Sequence, residues 1–335
     1  MGRILAFGEV MLRLSPPDKQ LLVQSPALDL WTAGAEANVA GALAQLGHEV
    51  SLATALPHNA LGDTAMRALR GTGVDCRHVQ RRDGRMGLYF VTPGAGLRPT
   101  DVIYDRAGSA FAQAPLDAWD WDRMLDGVDH LHLSGITPAL GPVAGEAAIT
   151  AAQTARARGI TISFDGNYRA LLWESWDSDP RAVLTKLVGC ADILFGNHRD
   201  VALLLDRDFA GEGEDRRRSA ADAAFNAFPQ LRLIASTARH VVTSDEHRLS
   251  ARVDTREAHA QTDEIILSGI VDRIGGGDAF AAGVLDALRH DRPLTRVAAN
   301  GLALAALKHS IPGDIALVTR ADLDGFVATG VDVRR

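Results

Sequence analysis

Toward its C-terminal end the chain reads Asp272-Arg273-Ile274-Gly275-Gly276-Gly277-Asp278-Ala279-Phe280-Ala281-Ala282-Gly283, three glycines leading into a helical pattern that reaches Leu288. Glycines at a helix start free backbone N–H groups to face an anion, and the helix N-terminus adds partial positive charge. Asp278 falls where that helix begins. Its carboxylate has two readings of equal weight. It caps the helix, or it takes a proton from an attacking hydroxyl while the N–H groups stabilise a transferring phosphoryl group. The run is not a Walker loop, since no Gly-Lys-Ser/Thr follows, and it is not Gly-x-Gly-x-x-Gly after a strand. Other chemistry finds no support. The eleven histidines show no zinc-like spacing, and His130 and His132, alternating on one strand, read as structural. No Gly-x-Ser-x-Gly motif or Ser-His-Asp order points to hydrolysis.

The elements that must position this loop follow a repeating order. Ile4 to Gly8 is a short continuous apolar run, as expected of a strand buried on both faces. Glu36 to Leu46 shifts to helical spacing and stops at Gly47. Strand then alternates with helix through Val50–Ala55, Asp63–Leu69, Val128–Leu133, Ala144–Arg158, Ile160–Asp165 and Ala182–Val188. Ile193–Gly196 and Leu231–Ser236 add further strands. This order predicts an α/β fold with a central, mainly parallel sheet flanked by helices. Two segments break it. Met86–Thr92 and Asp101–Asp105 alternate like antiparallel strands around the turn Pro93-Gly94-Ala95-Gly96, and residues 11–32 have similar short-strand character. The expected organisation is a main α/β unit of residues 1–10, 33–80 and 111–335, with a small β lid of 11–32 and 81–110. The charge-dense stretch from Glu212 to Arg218 reads as a solvated loop entering the next helix.

Composition narrows the partners. The 335 residues are 47% apolar and 23% charged, the balance of a globular domain, and the net charge of -7 argues against nucleic acid or an anionic membrane. Two distant cysteines, Cys76 and Cys190, suit a reducing cytoplasm as small apolar fillers. Glu9 interrupts the opening before a signal-length apolar run forms, and no run approaches the roughly 18 residues of a spanning helix. A cytoplasmic protein is expected. Exposed strand edges on the lid suggest a homodimer that covers them.

The glycine run resembles the Asp-Thr-x-Gly-Ala-Gly-Asp signature of the ribokinase-like (PfkB) carbohydrate kinases. Arg273 stands where most members have threonine, as in one branch of that family, and Gly276 stands for alanine. Ala33-Gly34-Ala35-Glu36-Ala37-Asn38 followed by Leu43-Ala44-Gln45-Leu46-Gly47 resembles the second signature, with Ala33 replacing its first glycine. The resemblance covers nearly the whole chain. It implies that Asp278 is the catalytic base, that Gly275, Gly276 and Gly277 form an anion hole, and that Gly34 and Asn38 meet the sugar. ATP and Mg²⁺ are implied as cofactors, and a monovalent cation, K⁺, near the 272–278 loop.

The branch most similar phosphorylates 2-keto-3-deoxygluconate at its 6-hydroxyl. By that resemblance Tyr89, Tyr104, Arg106 and Arg169 contact the sugar acid, and an arginine fork suits a carboxylate. Arg169 also follows a buried strand, where ligands of open α/β sheets bind. Asn197 and Asp200 in Phe195-Gly196-Asn197-His198-Arg199-Asp200 resemble the family's Asn-x-x-Glu motif, which places Asp200 near the metal. The bland alternative is a strand-to-helix turn capped by Asn197. Asn197, Thr237 and Asn300 are the expected nucleotide contacts, with a polar residue capping its helix face the alternative for Asn300. A ribokinase or fructokinase acting on a neutral sugar is the alternative within enzymes, and a catalytically silent sugar-binding regulator the alternative outside them.

Overall fold

The computed structural model describes residues 2–329. Of the expected main unit, Met1 and residues 330–335 lie outside the described residues. The chain opens with β1 (Arg3–Phe7), β2 (Met11–Ser15), β3 (Asp29–Ala33), α1 (Ala35–Gln45), β4 (Val50–Pro57), α2 (Ala60–Gly71) and β5 (Val79–Arg82). It continues through β6 (Gly87–Thr92), β7 (Asp101–Asp105), α3 (Trp121–Met124), β8 (Val128–Ser134), α4 (Pro142–Ala157) and β9 (Thr161–Asp165). Then come α5 (Ala170–Trp173), α6 (Pro180–Cys190), β10 (Ile193–Phe195), α7 (His198–Leu205), α8 (Gly213–Ala227) and β11 (Leu233–Thr243). The last elements are β12 (Glu246–Asp254), β13 (His259–Gln261), β14 (Ile265–Ser268), α9 (Gly276–Arg289), α10 (Leu294–Lys308) and α11 (Arg320–Thr329).

Ten strands form one sheet in the order β13-β12-β11-β10-β9-β8-β1-β4-β5, with β14 on β12. Neighbours from β11 to β5 run parallel, and β12 and the strands paired to it are antiparallel. The apolar run of β1 has a direct cause. Ile4 and Ala6 join the core on one side of the sheet, while Leu5 and Phe7 join the core on the other. Each strand residue must be apolar because helices cover both faces. His130 and His132 project from β8 into this interior and share the Ser163 hydroxyl, each at 2.8 Å. Burial holds both well below the ordinary imidazole range, at about 3, so they stay neutral.

A second, four-stranded sheet has the order β3-β2-β6-β7. It is fixed to the main body through its strand residues and its connecting loop. Ser244 Oγ donates to the Arg98 carbonyl at 2.5 Å, and Gly96 N donates to Asp245 at 2.7 Å. Two expectations need correction. The stretch from Glu212 to Arg218 is helix from Gly213 onward, with Glu214 and Asp215 in the first turn, where acidic side chains favour the helix dipole. The strand after Leu231 runs on to Thr243, and its partner β12 carries buried His247, Arg252 and Asp254 where apolar residues would have marked a strand.

Candidate active site

The carboxyl ends of β9 and β10, the N-terminus of α9 and one face of the smaller sheet enclose a cleft of about 930 Å³. The α9 N-terminus is built by its glycines. Gly275 has φ +80, and a Cβ there would lie 1.9 Å from the Asp314 carbonyl oxygen, so no other residue fits. Gly277 is different: a Cβ would meet nothing, although the residue lines the cleft. The fold does not need that glycine, and its missing side chain leaves the backbone of the α9 N-terminus open to the cleft. The first amides of a helix have no intrahelical acceptor, and no side chain caps this one.

Asp278 is the third residue of α9 and does not cap it. Asn38 Nδ2, from α1, donates to its Oδ2 at 2.7 Å. Loss of solvent pushes the Asp278 carboxyl up to about 6, opposed by the Asn38 bond and aided by Asp314. It therefore stays largely ionised near neutrality. Gly34, which precedes α1, has φ +154, and a Cβ would lie 2.3 Å from the Glu9 carbonyl, so close backbone packing requires it.

The cleft has a lightly paired cationic side. Arg169 is exposed there and donates only to its neighbour's Tyr168 carbonyl, at 3.4 Å. Arg199, Arg239 and Arg273 also line the cleft, and among the described residues none of these four arginines forms an ion pair. Arg239 is held below its ordinary value, first by burial and then by Arg273. Asp165 at the end of β9 is pushed up to about 7 by burial and by Asp278 and Asp200.

The pfkB carbohydrate kinase family profile matches residues 1–320. The chain belongs to the pfkB family of carbohydrate kinases. It is 34% identical over 332 residues to a 2-dehydro-3-deoxygalactonokinase of Haloferax volcanii, covering 98% of each chain. It is 28% identical to a 2-dehydro-3-deoxygluconokinase of Bacillus subtilis, over 97% of this chain and 95% of that one. The crystal structure of a Thermotoga maritima 2-dehydro-3-deoxygluconokinase superposes with a TM-score of 0.92 at 33% identity, covering 98% of this chain and 100% of that one. The ribokinase-like fold and a kinase acting on a sugar hydroxyl are thereby established.

Within this pfkB kinase, most residues expected at the site do line the cleft: Gly34, Asn38, Tyr89, Tyr104, Arg106, Arg169, Asn197, Asp200 and Thr237. Several are more committed than their sequence suggests. Tyr89 is buried, stacks on Tyr104 at 5.7 Å and donates its hydroxyl to Asp314. Arg106 is buried and bonds Glu9, its Nε at 2.8 Å, so its charge is balanced inside the protein. Asn197 and Asp200 form a reciprocal helix cap: Arg199 N donates to Asn197 Oδ1 at 2.8 Å, and Asn197 N to Asp200 Oδ2 at 2.7 Å. Asn300 is a correction. It is buried in α10 against α9 and does not reach the cleft.

The sequence reading missed the ionic frame behind the site. Arg13 of β2 bridges Asp272 at 2.6 Å and Asp314 at 2.9 Å, all three buried. An arginine inside the apolar strand Met11-Leu12-Arg13-Leu14 was the available signal. Glu36 of α1 was also missed. It is fully buried, its Oε1 accepts from Thr137 at 2.7 Å, and its Oε2 has no partner among the described residues. Burial pushes its carboxyl up to about 8. A carboxyl raised on folding lends stability that is full below the ordinary carboxylate value and is lost as pH rises to about 8. Glu36→Gln is expected to flatten that decline. Urea midpoints measured across this window decide it, and an unchanged slope would show that Glu36 is ionised in the fold.

Proposed function

We propose that the protein is an ATP-dependent kinase for 2-keto-3-deoxy sugar acids, phosphorylating the 6-hydroxyl of 2-keto-3-deoxygluconate or its galactonate epimer. The observation that carries this reading is Arg169, an exposed guanidinium in the same cleft as Asp278 that forms no ion pair among the described residues, though its charge reaches Asp165, Asp200 and Asp278. An arginine fork matches a carboxylate bidentately. The names of the curated relatives support the same substrate class.

In this reading Asp278 accepts the proton of the attacking hydroxyl, with Asn38 orienting its carboxylate. The α9 amides hold the transferring phosphoryl oxygens, and Arg199, Arg239 and Arg273 face the nucleotide phosphates. Magnesium, when bound with the nucleotide, offsets charge on those oxygens. Asp165 and Asp200 would hold it, directly or through water, because their oxygens suit a hard cation and their mutual repulsion is what a cation relieves. The smaller sheet serves as a lid whose Tyr104 shields the acid end.

A coupled ATP-consumption assay with both keto acids, ribose and fructose tests the proposal. Turnover on a keto acid far above the neutral sugars is expected, and preference for ribose or fructose would overturn it. Arg169→Ala is expected to raise KM for the keto acid about 10- to 100-fold, the size of one charge-assisted hydrogen bond, while leaving the neutral sugars unaffected.

A further inference from the structure

Lys308 ends α10, and its side chain is wholly buried. Lysine is almost never buried unless paired, yet among the described residues Lys308 forms no ion pair. Its Nζ instead donates to two backbone carbonyls, Ile311 at 2.9 Å and Asp272 at 3.4 Å. Asp272 opens the loop that leads to Gly275–Gly277, and Ile311 belongs to the loop whose Asp314 carbonyl abuts Gly275. The ammonium therefore ties together the two loops that shape the α9 N-terminus. The carboxylates of Asp272 and Asp314 lie near enough to favour its charge, against burial, which lowers its pKa.

Backbone carbonyls are the donors a potassium ion uses when it sheds its water. Here the carbonyls beside the anion-hole loop are already bonded by a lysine, so the residues present do not fit the potassium ion that family resemblance implied. We propose that the Lys308 ammonium takes the place of a dissociable monovalent cation beside this loop, so that the enzyme needs no potassium. Lys308 is a positioning residue: it acts on phosphoryl transfer through the loop it holds and through its fixed charge. The inference rests on the reading of Gly275–Gly277 as the anion hole.

Two measurements test it. The first is wild-type kcat on a keto acid with magnesium and tetramethylammonium as the only cations, then with potassium added. Equal rates are expected, and activation by potassium overturns the proposal. The second is thermal unfolding, which needs no activity, of wild type and Lys308→Ala under the same two conditions. Potassium is expected to raise the melting temperature of the variant alone. It should also restore part of a kcat that falls about 100-fold on losing the buried charge. A potassium-dependent wild-type melting temperature, or a folded variant indifferent to potassium, overturns the assignment. If the variant does not fold, the wild-type measurements decide alone. Absence of turnover on every sugar acid is instead a failure of the functional reading, and the thermal comparison then stands by itself.

Discussion

Asp278→Asn is expected to lower kcat about 10²- to 10⁴-fold, the span of general base catalysis, with KM for both substrates little changed. Asparagine keeps the size of the side chain and an oxygen that can still accept the 2.7 Å bond from Asn38, so the cleft survives while the proton acceptor does not. The pH profile gives an independent reading. The Asp278 carboxyl stands near 6 in the folded chain, raised first by loss of solvent. A base must be unprotonated, so wild-type kcat/KM should fall as pH drops through that value. Steady-state rates from pH 5 to 9 reveal the acidic limb, and the variant should lack it. A variant within a few-fold of wild type would remove Asp278 from the chemistry and return the α9 carboxylate to a structural part.

Arg13→Leu is the second large effect, and it concerns stability. The guanidinium is the shared partner of Asp272 and Asp314, and all three side chains are buried. Removing one member of a buried ionic cluster leaves the others charged and unpaired, which costs about 3–5 kcal/mol. Denaturant midpoints should fall accordingly. Arg13→Leu with Asp314→Asn should recover part of that loss, because the one carboxylate that remains, Asp272, still has the Lys308 ammonium nearby to balance it. If the single variant unfolds like wild type, the two aspartates have another counter-charge, and Lys308 is the nearest candidate.

The parts of the fold that were legible share one property: their pattern reports a local requirement. β1 reads as strand because both its faces meet apolar cores, and Gly275 reads as a loop residue because its backbone conformation excludes a side chain. β12 was overlooked although Leu249, Ala251 and Val253 alternate along it, because its other buried positions are polar. Arg252 Nε donates to Asp254 at 2.8 Å inside the strand, so the face opposite Leu249, Ala251 and Val253 is filled by polar side chains that give no sign of being buried. Asn300 was misplaced for a related reason. α10 is buried nearly all round, through Val297, Ala298, Gly301, Leu302 and Leu304, so its sequence carries no stripe to show which side faces a cleft. Arg13 and its aspartates were invisible as a group, because nothing in a linear pattern joins a strand residue to two loops near the other end.

That separation has a consequence for how the enzyme comes into being. The bond from Asn38 to Asp278 spans 240 positions, and the one from Arg13 to Asp314 spans 301. Chains emerge N-terminus first, and contacts of long sequence separation form late because closing large loops is slow. A chain still on the ribosome that has passed Arg169 already carries that arginine but has neither Asp278 nor the glycine run that opens α9. Its Arg13 waits without either carboxylate, a lone cation on an otherwise greasy strand. In the proposed mechanism incomplete chains are thus unable to spend ATP, and the first turnover marks a polypeptide in which both ends of the site have met.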